Sequence, residues 1–448
     1  MNLNEVHRIY FIGIGGIGMS ALANYFCANG KQVAGYDKTP STITDGLIGL
    51  GAEIHFEDTV DLIPKEFKQK ENTLVVYTPA VSKEHSELNF FMNNGIRTLK
   101  RAQVLGEITR NTFCLGVAGT HGKTTTSSIL GHIMKDCGTG ATSFLGGITE
   151  NYNSNLILGE DKISVVEADE FDRSFLQLSP DVACVTSMDA DHLDIYGEKE
   201  ALEASFKEFS ERVSKQLIVC KGLPLEGLTY AIDEAADYQI TNVEIKKGAY
   251  QFSVKTPLAS ADNVEFCLPG RYNLSNALAA IALAEQYGLE LSAIANSLKT
   301  FTGVKRRFSY KIREENFVLI DDYAHHPTEI NAVADAVREM YPNEKVLAVF
   351  QPHLFSRTND FVEDFATSLS RFDEVVLLDI YPARELPIQG VTSEWLLGKI
   401  DSRNKKLVEK KKVLEEIKNS NATVVVMLGA GDIGVLIEEV SAELLTRG

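Results

Sequence analysis

Three times the chain runs an apolar, β-rich segment into a glycine turn and straight on into a helical pattern: HRIYFIGIGGIGMSAL from His7, FCLGVAGTHGKTTTSSIL from Phe113 and TVVVMLGAGDIGVL from Thr423. A helix that follows a buried strand directly packs back onto the sheet, so repeated strand–turn–helix steps build a mostly parallel sheet with helices on its faces. Glycines at such turns also let backbone amides approach a phosphate at the helix N-terminus. The chain is therefore expected to be α/β.

The 448 residues are enough for about three domains, and the steps group accordingly. Residues 1–108 read as a Rossmann-like N-terminal domain, with a helix over Met19 to Asn29, strands at Gln32 to Tyr36, Thr73 to Thr78 and Gly95 to Leu99, and a helix leading out from Arg101. Residues 109–304 read as a central P-loop-type ATPase domain; its buried strands end near Asp169 and Asp189, shorter strands occupy Leu217 to Leu268, and a helix resumes in RYNLSNALAAIALAEQYG. Residues 305–448 read as a Rossmann-like C-terminal domain in which NFVLIDDYA, KVLAVFQPH, EVVLLDIYPA and TVVVMLGAG alternate with helices. The basic, polar segment TGVKRRF from Thr302 is a candidate interdomain hinge.

Composition excludes several classes. Lysine plus arginine total 44 against 62 aspartates and glutamates, a net charge of −18 that repels nucleic-acid backbones and anionic membranes. Six scattered cysteines without paired spacing read as free, mostly buried thiols of a reducing compartment. The opening residues do not resemble a signal peptide and no later run is long and apolar enough to span a bilayer, so a cytoplasmic protein is expected. No nucleic-acid or membrane partner is expected, and the chain should be a monomer or weak homodimer.

The first turn, with Gly13, Gly15 and Gly18, fits the dinucleotide fingerprint, and Asp37 lies about 20 residues on, where an acid binds ribose hydroxyls. Such a turn takes a diphosphate-bearing nucleotide, either a nicotinamide cofactor or a nucleotide-sugar; a turn serving helix packing alone is the bland alternative. The late turn at Gly429, Gly431 and Gly434 has only one helix of chain after it and reads as structural. Gly119-Thr120-His121-Gly122-Lys123-Thr124-Thr125 resembles a P-loop, in which amides surround phosphate oxygens, the lysine neutralises the terminal phosphates and the first threonine can ligate magnesium. Strict spacing places its first glycine at position 117, which is Val117 here. Glu167, Asp169 and Glu170 end a neighbouring buried strand, where a magnesium carboxylate belongs, and His192 emerges among acids after the next. In the third domain, Asp321 to His326 and then Gln351, His353 and Arg357 end successive strands and point to a polar cleft. Helix capping by His325 and His326 is the bland reading of those two.

The order of motifs, GIGGIGMSAL, GTHGKTTT, VEADEFD, TSMDADHLD, GRYNLSNALAA, GVKRRF, DDYAHHPTEI, FQPHLFSRT and GAGDIG, resembles the Mur ligase family over essentially the whole chain. That resemblance implies an N-terminal domain for a UDP-sugar, a central ATPase and a C-terminal domain that helps bind ATP and admits an amino acid. It implies that Gly13, Gly15, Gly16, Ile17, Gly18, Asp37 and His121 serve UDP-N-acetylmuramate. Gly119, Thr120, Gly122, Lys123, Thr124, Thr125, Asn276, Arg307 and Asp322 would serve ATP, with Asn276 at the adenine, Arg307 near the phosphates and Asp322 at the ribose. Thr124, Glu167 and His192 would hold Mg2+, and Tyr323, His325 and Arg357 would face the amino acid.

The reaction so implied makes an acylphosphate from the lactyl carboxylate of UDP-N-acetylmuramate and ATP, which the amine of L-alanine then attacks, in peptidoglycan precursor synthesis. Lys123, His192, His325 and Arg357 are the catalytic candidates, and either histidine could be the base. Two departures stand out. Where several family members carry a carbamylated lysine, this chain has Phe206, with Lys207 adjacent, and Leu354 stands where relatives often have arginine. The alternatives are a ligase joining the same UDP-sugar to a preformed tripeptide and, from another class, a nicotinamide-dependent dehydrogenase.

Overall fold

The structure, a computed structural model, describes residues 3–160, 162–189, 199–246, 248–383 and 385–446. Its first sheet has five parallel strands in the order Glu53–His55, Gln32–Tyr36, Arg8–Ile12, Thr73–Tyr77, Arg97–Lys100. The first strand in sequence lies at the centre, where Ile9, Tyr10, Phe11 and Ile12 are all buried. A strand covered on both faces reads as a continuous apolar run rather than an alternating one, which is the pattern of RIYFI. The glycine turn leaves the carboxyl end of this central strand and enters the helix Ile17–Ala28.

The second sheet has ten strands, in the order Ser260–Phe266, Ala249–Lys255, Tyr238–Lys246, Leu228–Ile232, Gln216–Cys220, Val182–Val185, Phe113–Ala118, Ile163–Ala168, Thr142–Thr149, Ser154–Ile157. The β-rich stretch read from Leu217 onward thus extends the central sheet. At the opposite edge, Thr142–Thr149 and Ser154–Ile157 pair antiparallel, and the helix Ile17–Ala28 of the first sheet packs on this hairpin, with Tyr25 and Phe144 rings 5.3 Å apart. One apolar core therefore runs from Ile9 and Leu22 through Phe144 to Phe206.

The third sheet runs Ser309–Arg313, Val318–Asp322, Val424–Leu428, Val346–Phe350, Glu374–Leu377, Lys405–Leu407, parallel except for the antiparallel edge strand Ser309–Arg313. Separate apolar clusters cover its two faces. The late glycine turn is a structural joint here. Gln351 Oε1 accepts the Ile433 amide at 3.0 Å and its amide group donates to Asp432 at 2.7 Å, capping the helix Ile433–Leu445, and a Cβ on Gly431 would lie 2.4 Å from Gln351 Oε1.

By internal contacts the chain divides into two compact units. One comprises Met1–Glu244, Gln251–Phe266 and Ser275–Phe301; the other comprises Ile245–Tyr250, Cys267–Leu274 and Thr302–Gly448. All six cysteines are free, but only Cys114 and Cys184 are fully buried, fewer than expected, because the other four sit at element ends rather than inside strands of the core. Among the described residues no helix is long and apolar enough to cross a membrane.

Candidate active site

In the first unit, the turn Gly13–Gly16 is pinned to the neighbouring strand: the Gly13 and Ile14 amides donate to Tyr36 O, and the Gly15 amide donates to Asp37 Oδ2 at 2.7 Å. Gly13 has φ +87°, a region that glycine enters without steric cost. Gly16 is the N-cap of the helix Ile17–Ala28 and no side chain caps it. Arg101 covers the same turn so closely that a Cβ on Gly18 would lie 2.8 Å from its guanidinium. The Ile17 carbonyl is held by Asn155 of the hairpin, whose Nδ2 donates to it at 2.6 Å. Asp37 is thus brought to the glycine turn, with one carboxylate oxygen already on a turn amide.

The second turn leaves the strand Phe113–Ala118 and opens the helix Lys123–Asp136. Gly119 has φ +135° and Gly122 +83°; a Cβ on the first would fall 2.1 Å from Thr186 Oγ1 and on the second 2.5 Å from Asn276 Oδ1. These two glycines are required by both backbone and space. The adjacent strand end braces the loop: Ser187 Oγ accepts the His121 amide at 2.7 Å and lies 2.9 Å from Thr120 Oγ1, and Thr186 donates to Ala118 O and His121 O. His121 Nε2 is 3.7 Å from Asp189 Oδ2. Asn276 Oδ1 accepts from Thr126 Oγ1 at 3.2 Å, which sets the asparagine against the loop. Thr125 is buried in the first turn of the helix.

The three acids ending the strand Ile163–Ala168 each reach a different partner. Glu167 Oε1 accepts from Thr124 Oγ1 at 3.1 Å, Asp169 pairs with Arg101 at 3.4 Å, and Glu170 pairs with Lys123 at 2.7 Å. Gly146 leaves the space around Glu167, since a Cβ there would come within 2.0 Å of Oε2. His192 and the DHLD motif lie outside the described residues. Phe206 is fully buried, 5.3 Å edge-on from Phe175, and Lys207 is exposed. Phe206 belongs to the apolar core.

In the second unit, Asp322 is buried at the end of its strand, with Oδ2 accepting the Phe308 amide at 2.7 Å and Oδ1 the Ala324 amide at 2.8 Å. Burial pushes its carboxyl up to about 7, against the lowering effect of Arg307. Its shown work is to clamp the segment 306–308, in which Arg306 and Phe308 both have positive φ. Arg306 and Arg307 lie over the Tyr323 ring, 5.1 and 5.9 Å from its centroid, and Arg306 also pairs with Asp321. Next come the rings of Tyr323, His325, His353 and Tyr381, in successive contact at 5.1, 6.0 and 5.7 Å. Burial, with Arg357 nearby, lowers both histidines, His353 to about 4. His325 Nδ1 sits 2.9 Å from Tyr323 O, which fixes Nδ1 as the donor and leaves Nε2 with the lone pair. His326 is the N-cap of the helix Pro327–Met340, as the bland reading had it, whereas the His325 ring is not a cap.

Sequence reasoning missed Thr186, Ser187, Arg101 and Asn155. TSMD and the Arg that opens the helix Arg101–Thr109 were visible, but small hydroxyls and a helix-start arginine carry no chemistry of their own until a loop is folded against them.

Profiles of this fold type match along the chain: Mur ligase family, catalytic domain, over residues 8–112; Mur ligase middle domain over 117–284; and Mur ligase, glutamate ligase domain over 306–437. The chain belongs to the Mur ligase family. Among curated members, a UDP-N-acetylmuramate–L-alanine ligase of Flavobacterium psychrophilum is 60% identical over 446 residues, 99% of each chain, and one of Flavobacterium johnsoniae is 58% identical over 446 residues, again 99% of each. Among solved structures, a UDP-N-acetylmuramate–alanine ligase from Thermotoga maritima superposes with TM-score 0.85 at 27% identity, covering 98% of this chain and 100% of that one. A murein peptide ligase from Psychrobacter arcticus shares the fold, with TM-score 0.71, 22% identity and 98% of each chain covered. Mur ligase membership removes the dehydrogenase alternative and accounts for the phosphate loop that a dehydrogenase left unexplained.

Proposed function

We propose that this chain joins the lactyl carboxylate of UDP-N-acetylmuramate to the amine of L-alanine, with ATP converted to ADP and phosphate. The observation that carries the reading is the phosphate loop with Lys123 and Thr124 facing Glu170 and Glu167. Whole-length identity of 60% to a ligase named for these substrates supports it over the tripeptide-joining alternative. The proposed domain boundaries are 1–108 for the UDP-sugar, 109–304 for ATP and 305–448 for the amino acid.

The turn Gly13–Gly18 receives the UDP-sugar diphosphate on the amides of an uncapped helix N-terminus, where the helix dipole favours an anion. Lys123 and the loop amides take the ATP phosphates, and Lys123 offsets charge on the phosphoryl group as it moves to the lactyl carboxylate. A divalent cation fits the donor set. Thr124 Oγ1 and Glu167 Oε1 are hard oxygens 3.1 Å apart, close to the ~3.0 Å edge of an octahedron with ~2.1 Å metal–oxygen bonds. With Mg2+ bound, these residues and His192 would hold it, and it would supply neutralisation of phosphate charge. The acylphosphate formed has phosphate as its leaving group. His325 Nε2 takes a proton from the alanine ammonium, the free amine attacks the acyl carbon, and the tetrahedral adduct collapses to amide and phosphate. Arg357 takes the amino acid carboxylate, and Tyr323 lines the same cluster.

Phosphate release by the purified chain with ATP, Mg2+ and UDP-N-acetylmuramate is the test. Release should depend on L-alanine, with glycine and L-serine as the comparison amines. Turnover with an L-alanyl-γ-D-glutamyl tripeptide and none with L-alanine overturns the reading.

A further inference from the structure

Lys123 is the first residue of its helix, and its side chain folds back over the loop that precedes it. Nζ is 2.7 Å from Glu170 Oε2, 2.9 Å from Oε1 and 2.6 Å from Gly119 O, with Thr120 O further off at 3.4 Å. An ammonium has three protons to donate, and these acceptors engage all of them. The Glu170 side chain is 0% exposed and that of Lys123 12%, so the ion pair is enclosed. Its neighbours are directed elsewhere, Glu167 to Thr124 and Asp169 to Arg101. A phosphate oxygen entering the loop needs at least one of the same three protons. Glu170 and the nucleotide phosphate therefore draw on a single cation.

We propose that Glu170 is a positioning residue acting through Lys123. It holds the ammonium against the loop and yields it only in part to the terminal phosphate. Nucleotide and product phosphate are consequently held less tightly than the loop and lysine would hold them alone, and ADP departs faster. The proposal rests on the loop being the ATP site.

The experiment is calorimetric titration of the full chain with ADP and Mg2+, wild type against Glu170→Gln, which keeps the shape and removes the charge. The expected result is ADP binding tighter by roughly tenfold, the size of one charge-assisted hydrogen bond no longer contested. KM for ATP and kcat should fall together, and UDP-N-acetylmuramate affinity should stay unchanged. In a Lys123→Met background the same substitution should give no gain. ADP affinity equal to or weaker than wild type in a Glu170→Gln protein that melts normally overturns the proposal. If that variant does not fold, Lys123→Met approaches the pair from the other side: Tm should fall by several degrees and recover in Lys123→Met/Glu170→Gln, and no recovery overturns it equally. Absence of ADP binding by the wild type would instead remove the ATP-site reading, and the proposal with it.

Discussion

At the scale of single residues, the mechanism asks one histidine to take a proton from an ammonium, and a histidine already charged at neutral pH could not. Burial and the Arg357 charge keep His325 below its ordinary range, so it is neutral at pH 7 and loses function only as the pH falls through its lowered value. His325→Asn should reduce kcat by about 10²- to 10³-fold, the usual scale of general base catalysis, with little change in KM for L-alanine. It should also erase the acid limb of the kcat profile, and an acid limb that persists in the variant would move the proton to another group. Lys123→Ala should abolish phosphate release and leave UDP-N-acetylmuramate binding intact, as measured by titration of the sugar nucleotide alone; retained turnover would contradict the ATP role.

Among the elements, the phosphate loop is the one whose shape depends most on absent side chains. Gly122 has φ +83° and no room for a methyl group beside Asn276. Gly122→Ala should therefore cost about 1–2 kcal/mol in stability from the backbone alone. Steady-state kinetics should show a rise in KM for ATP of tenfold or more while KM for L-alanine holds. The loop, its strand and its helix were readable from the sequence because glycine spacing and apolar runs are local signals. The bracing of that loop by Thr186 and Ser187 was not, because it comes from a strand some sixty residues away. Asp322 holds a turn that its place in the sequence does not announce, because the Phe308 and Ala324 amides that close onto it come from separate segments of the fold. The late glycine turn is packed against Gln351, a partner that spacing in the sequence does not reveal.

Across the molecule, two sets of titratable groups pull stability in opposite directions over the same pH range. Glu87, enclosed with Tyr10 and raised to about 7, and Asp322, also raised to about 7, contribute fully below their unfolded values and lose that contribution as pH climbs to 7. His55, His85, His132, His325 and His353 are all lowered, so their contribution is present above the unfolded value and is lost as pH falls toward 4. Glu87→Gln removes one carboxylate slope, so it should gain about 1–3 kcal/mol at pH 8 and little at pH 4.5, checked by urea unfolding at both; equal gains at both would exclude titration of Glu87. The overall charge of −18 bears on none of this local chemistry; it repels extended polyanions, while the small phosphates of the proposed substrates would be met by turn amides and Lys123. The hairpin Thr142–Ile157 has a consequence for engineering. Because it roofs the helix that opens with the first glycine turn and Asn155 grips that helix, the N-terminal sheet cannot be transplanted between ligases by cutting near residue 108. A graft that leaves the hairpin behind would strip an apolar flank bare, so the exchangeable part is a discontinuous one, spliced from two stretches of chain.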